Sequence, residues 1–218
     1  MPVHAEFRTV SVKKLYPLAI SRGTMTHSDN LFVTLSDGVH EGIGELSPAT
    51  GSAWTAGRGE DQLRDFLRTH EWTNPHDAYA AMREAKIDPP AMAALDVAGW
   101  DLVAKRAGRP LHEILGLPRR SVATSVTIGI NPPDVTRERV PDILRRTGAK
   151  ALKIKLGSPL GREHDREHFS AAAEAAAPFG VSLRVDANGG WTPAEAREMD
   201  DWLADRGVEY AEQPLAAG

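Results

Sequence analysis

The chain has 218 residues, 41% hydrophobic and 26% charged, with a formal net charge of −4 at pH 7. That composition belongs to a folded globular protein with room for one large domain or two small ones. It gives no electrostatic case for nucleic acid or an anionic membrane. The absence of cysteine rules out disulfides and thiolate chemistry and suits a cytoplasmic location. Met1-Pro2-Val3-His4-Ala5-Glu6 shows no secretory leader, and no apolar run reaches the length of a membrane span.

From Phe7 to Ile20, alternating Val10 and Val12 followed by Leu15, Tyr16 and Leu18 predict extended structure. Ser21 to Asn30 is polar and rich in turn formers, which predicts a loop. Leu31 to Leu35 and Glu41 to Leu46 complete a predicted antiparallel meander, with a turn at Ser36-Asp37-Gly38. Gly42 and Gly44 lack the third glycine and helix start of a dinucleotide fingerprint. Ser47 to Gly59 reads as another loop.

Helices follow. Leu63, Phe66 and Leu67 predict one over 60–69, and Asn74-Pro75 starts another running to about Lys86. Pro89-Pro90 starts the strongest, with Met92, Leu95, Val97, Ala98, Leu102 and Val103 as its apolar face and Gly108 as its stop. A short helical turn covers 110–115. Strands and then helices describe an α+β unit.

After residue 120 the rhythm changes. Four apolar strands are predicted at Thr124–Ile130, Ala151–Gly157, Leu183–Asn188 and Val208–Pro214, with starts 27, 32 and 25 residues apart. Helical segments at 133–147, 163–178 and 193–206 fill the gaps. That alternation means parallel strands with crossover helices. A domain boundary is therefore expected at 120, giving domains 1–120 and 121–218.

Side chains alternate along a strand. Leu152, Ile154 and Leu156 then pack on helices, while Lys153 and Lys155 share the opposite face. Arg184, Asp186 and Asn188 share a face, as do Tyr210, Glu212 and Pro214, and Thr127 with Gly129. Two ammonium groups on one face repel, which with desolvation is expected to lower a lysine pKa towards that of a general base. Carboxylates on neighbouring strands are hard donors that suit Mg²⁺ or Mn²⁺. A lysine beside such a metal suits removal of a proton α to a carboxylate. His164 and His168 are four apart, but Arg-Glu-His-Asp-Arg-Glu-His predicts a solvated helix face rather than a metal site. Trp191 and Trp202 read as packing residues.

Lys-Ile-Lys-Leu-Gly, Val-Asp-Ala-Asn-Gly-Gly-Trp and Glu-Gln-Pro, in this order and spacing, resemble the enolase superfamily, muconate-lactonizing subgroup. Ala94-Leu-Asp-Val-Ala-Gly-Trp-Asp-Leu102 with Lys105, Gly108 and Pro110 resembles that superfamily's capping-domain helix. The likeness covers nearly the whole chain. Singly, Lys-x-Lys or Glu-Gln-Pro is a weak signal; the three motifs together are specific.

The resemblance implies an α/β fold: an N-terminal α+β capping domain, then the first half of a (β/α)₈ TIM-like barrel. It implies Lys155 as general base and Lys153 as its partner at the substrate carboxylate. Asp186 and Glu212 would be ligands of Mg²⁺, with Mn²⁺ as the alternative, and Asn188 would lie behind them. Thr127 in Thr-Ile-Gly-Ile resembles the dipeptide epimerase branch (L-Ala-D/L-Glu type), where this strand touches substrate. Loops 22–29 and 48–51 match cap loops that shape specificity, with Arg22 and His27 as substrate contacts. The implied enzyme is an isomerase, a Mg²⁺-dependent racemase or epimerase acting on dipeptides. Lyase or cycloisomerase chemistry of the o-succinylbenzoate synthase or muconate cycloisomerase type is the first alternative. An inactive half-barrel serving binding or assembly is the second.

The family's third metal ligand and second lysine fall on later strands. A complete barrel takes about 250 residues, whereas 98 follow the boundary. The expectation is therefore part of a longer chain, or one pairing with a separate second half or with itself. The expected setting is cytoplasmic and homo-oligomeric, with a small carboxylate substrate and neither nucleic acid nor membrane as partner.

Overall fold

The structure is a computed structural model describing residues 2–216. It divides into two units, residues 1–13 with 27–120 and residues 14–26 with 121–218.

A three-stranded sheet runs in the order β1-β2-β3, from β1 (His4–Ile20), β2 (Gly23–Ser36) and β3 (Glu41–Leu46), and the first unit holds residues 4–13 of β1, 27–36 of β2 and all of β3. β2 and β3 are antiparallel, pairing Leu31 with Leu46 through Ser36 with Glu41. Four helices follow: α1 (Ala56–Thr69), α2 (Pro75–Glu84), α3 (Pro89–Arg106) and the short α4 (Leu111–Ile114). Leu31, Val33 and Leu35 of β2 bury against Leu63 and Phe66 of α1 and Leu95, Ala98 and Leu102 of α3. Val97, expected on the apolar face of α3, is exposed. At 100° per residue it lies nearly opposite Leu95 and Leu102.

Two predicted loops are corrected. Residues 23–30 are strand, and only Ser21-Arg22 turns the chain between β1 and β2. A solvated strand carries the same polar residues as a loop. α1 starts at Ala56, inside the predicted 47–59 loop, because the Thr55 side chain caps it by accepting from Arg58 N.

The second unit alternates strand and helix: β4 (Ser125–Ile128), α5 (Pro133–Thr147), β5 (Ala151–Lys155), α6 (Arg162–Ala176), β6 (Ser182–Asp186), α7 (Pro193–Ala204) and β7 (Ala211–Glu212). The strands are parallel, in the order β4-β5-β6-β7. Ile128, Leu152, Ile154 and Val185 bury one sheet face against Val140 and Leu144 of α5, Phe169 and Ala172 of α6 and Met199 of α7. This is the α+β first part and partial parallel α/β barrel that the resemblance implies. Among the described residues no helix is long and apolar enough to cross a membrane.

Residues 14–26 were expected with the first domain, but they group with the second unit. Ile130 N donates to Ala19 O at 2.9 Å, and the Tyr16 hydroxyl donates to Asp142 Oδ2 at 2.8 Å. Gly129 leaves room for this approach, since a Cβ there would lie 2.8 Å from Ala19 N.

Candidate active site

Lys155, Asp186 and Glu212 are each the last residue of their strand. The register pairs Lys155 with Asp186 and Asp186 with Glu212, so the three form one row across neighbouring strands. One step back, Thr127 pairs with Lys153 and Lys153 with Arg184. The buried aliphatic residues alternate with these, so helix packing on one face turns every polar group in the row to the other.

Lys155 Nζ donates to Asp186 Oδ2 at 2.6 Å, and Lys153 Nζ donates to Glu212 Oε2 at 2.5 Å. Asp186 is buried, at 2% exposure, and its Oδ1 accepts from Asn188 N at 2.8 Å while the Asn188 amide donates to Oδ2 at 3.2 Å. The lysines therefore do not face each other bare, as the sequence suggested. The hydrogen bond that Lys153 donates to Glu212 raises the Lys153 pKa above its ordinary value, against the opposing effect of burial.

Asn188 has φ +48°, a left-handed conformation that asparagine tolerates. Its carbonyl accepts from Ser21 Oγ at 3.0 Å and from Arg22 Nη1 at 2.9 Å. Arg22 thus braces the loop after β6. A cleft lined by Ser21, Arg22, Ser158, Asn188 and Gly189 opens beside it. His27 is exposed on β2 in the first unit. The second unit therefore brings together Lys153, Lys155, Asp186, Asn188, Glu212, Thr127 and Arg22.

The sequence reading missed what lies behind the row. Asp165 of α6 and His168 one turn on are buried, not solvated. Asp165 accepts from Gly157 N, Ser158 N and Trp191 Nε1 at 3.0, 2.9 and 2.9 Å. Burial pushes its carboxyl pKa up, and these three donors pull the other way. Thr136 Oγ1 lies 3.1 Å from Pro132 O and 2.7 Å from His168 Nδ1. Burial, then the charge of His164, lowers the His168 pKa to about 4.

The donor chemistry suits a hard divalent cation: two carboxylates in register, and beside them Asn188 Oδ1, a buried oxygen with no hydrogen-bond partner among the described residues. The set is partial. Among the described residues no three His, Cys, Asp or Glu side chains group closely enough to hold a metal ion.

A parallel βα sheet that gathers lysines and carboxylates at the C-terminal ends of its strands places them where barrel enzymes carry their active sites. Residues 4–116 match the mandelate racemase / muconate lactonizing enzyme N-terminal domain, and residues 136–218 match the enolase C-terminal domain-like family. The chain belongs to the mandelate racemase / muconate lactonizing enzyme family of the enolase superfamily. It is 53% identical over 214 residues to the hydrophobic dipeptide epimerase of Roseobacter litoralis, spanning 98% of this chain and 62% of that protein. To the L-Lys-D/L-Arg epimerase of Methylococcus capsulatus it is 34% identical over 221 residues, spanning 98% of this chain and 61% of that protein. The solved dipeptide epimerase of Enterococcus faecalis, complexed with Mg and the dipeptide L-Leu-L-Tyr, matches 99% of this chain with a TM-score of 0.84 at 30% identity. The match covers 62% of that structure, so the chain spans about three fifths of the length of these relatives.

Proposed function

We propose that this chain carries the proton-abstracting side of a Mg²⁺-dependent dipeptide epimerase site. One observation carries the reading: the row of Lys155, Asp186 and Glu212 at the ends of three adjacent strands, with Lys153 tied to Glu212. The kinship with dipeptide epimerases supports it. The relative at 53% identity favours a hydrophobic dipeptide as substrate.

Asp186 and Glu212 would hold the cation, with Asn188 behind them. When bound, the cation supplies positive charge beside the substrate carboxylate and makes the α-proton more acidic. Lys155 takes that proton as a free amine, which requires its Nζ to leave Asp186 Oδ2. Lys153, on the same face of β5 as Lys155, orients the substrate carboxylate. Thr127, beside Lys153 in register, lines the same face, and Arg22, bonded to the Asn188 carbonyl, is assigned to the substrate's far end. Epimerisation also needs a proton donor on the opposite face of the α-carbon. We assign that donor and the third acidic ligand to protein outside these 218 residues. Capping and barrel domains of 1–120 and 121–218, a cytoplasmic setting and a homo-oligomeric state belong to the same reading.

The test is α-deuterium incorporation into L-Leu-L-Tyr in D₂O with Mg²⁺, followed by NMR. Loss of a positioned general base costs about 10²–10⁴-fold, so exchange should fall by that factor in Lys155→Ala. Undiminished exchange in that variant rules Lys155 out as the base.

A further inference from the structure

We propose that Asp165 is a positioning residue: it latches together the loops that follow β5 and β6, and so sets Lys155 against Asp186. This rests on the functional reading of those two residues given above.

The argument is geometric. Gly157, two residues beyond Lys155, and Ser158 both donate their backbone N–H groups to Asp165, at 3.0 and 2.9 Å. Trp191, five residues beyond Asp186, donates its indole N–H to the same carboxylate at 2.9 Å. One side chain, 1% exposed, therefore holds both loops. The loops also touch directly. A Cβ on Gly190 would lie 2.7 Å from Gly157 Cα, and one on Gly157 would lie 2.4 Å from Ala187 O. Leu156 N donates to Asp186 O at 2.9 Å, carrying the ladder past the ends of the strands. With no slack between the loops, a shift at Gly157 reaches Lys155 through two residues.

Packing alone does not explain a carboxylate here. Burying one costs several kcal/mol unless hydrogen bonds compensate, and an apolar side chain of similar volume would fill the space. Asp165 lies in the first turn of α6, yet these three hydrogen bonds run to the neighbouring loops rather than to the helix's own N–H groups.

The test uses the full-length protein and two readouts. The first is competitive acetylation with limiting acetic anhydride, read by mass spectrometry as Lys155 labelling relative to Lys105. The second is the split of α-deuterium exchange into kcat and KM. A misplacement of about 1 Å costs on the order of 10²-fold, so Asp165→Asn should lower kcat by about 10- to 100-fold with KM little changed. The Lys155 labelling ratio should rise several-fold. Trp191→Phe removes one donor of the three and should move both readouts the same way by less; it also serves where Asp165→Asn does not fold. Phe169→Leu, a buried change on the same helix, is the stability control. If it reproduces both shifts at a matched Tm, Asp165 is only structural and the proposal is overturned. It is equally overturned if Asp165→Asn and Trp191→Phe leave both readouts unchanged. Full exchange in Lys155→Ala would sink the functional reading and with it the kinetic half of this proposal, while the labelling ratio tests the geometric half separately.

Discussion

The two sheets use the same alternation for different ends. On β3 the inward residues include Gly42 and Gly44, and the backbone of α3 lies directly on them. A Cβ would stand 2.1 Å from Ala98 O at position 42 and 1.9 Å from Ala94 O at position 44. On β5 the inward residues are Leu152 and Ile154, which hold their helices off with full side chains, and the outward ones are Lys153 and Lys155. The first sheet removes side chains so that a helix can approach closely. The second keeps large apolar groups on one face and places charge on the other. A half-buried sheet carries chemistry only where its packing face holds firm without help from the polar one.

That contrast can be broken from either side. Gly44→Ala should have the largest effect, since the new methyl meets a backbone carbonyl that cannot turn aside; a loss on the order of 4 kcal/mol is expected. Urea unfolding followed in the first unit measures it, and a loss under about 1 kcal/mol would mean that α3 slides freely on β3. Leu152→Ala, on the packing face of the second sheet, should cost about 3 kcal/mol by the same method.

His168 sharpens the comparison through pH. Its folded pKa of about 4 lies below the ordinary 6.5, so the unfolded chain takes up the proton first. Its neutral form costs nothing above pH 6.5, and stability declines as pH falls from there towards 4. Between pH 6.5 and 5 the loss should be about 2 kcal/mol. His168→Gln keeps a polar group that can hydrogen-bond Thr136 and should flatten that decline; an unchanged slope would assign it to other groups. The smallest effect belongs to Lys153→Met. Its partner Glu212 is 47% exposed, so the pair should contribute less than about 1 kcal/mol to stability, and a larger loss would show that the polar face also holds the fold.

Much of this was legible beforehand, because apolar periodicity and strand alternation are local properties. They placed Lys153 and Lys155 opposite Leu152 and Ile154, and they separated the βα repeat from the helical run before it. What escaped was set by partners remote in sequence. Residues 23–30 read as a loop because their polarity fits a solvated strand equally well. Asp165 and His168 sit in a run of charges that masks a buried stripe. Counting from Phe169, Ala172 and Ala176 at helical spacing would have put both on the inner face. The rise in the Lys153 pKa was hidden for another reason. Like charges are visible within one strand, but the neutralising carboxylate, Glu212, arrives two strands later.

The backbone contact between Gly157 and Gly190 bears on how such a protein can be re-engineered. Loops at the mouth of a βα sheet are usually treated as interchangeable parts. Here the segment after β5 and the segment after β6 have no independent surfaces: each supplies the space the other occupies. A graft that brings in one loop from a relative inherits half of a fitted joint. Recombination libraries drawn across this family should therefore place their crossovers before Lys155 and beyond Trp191, and move the two loops as one cassette.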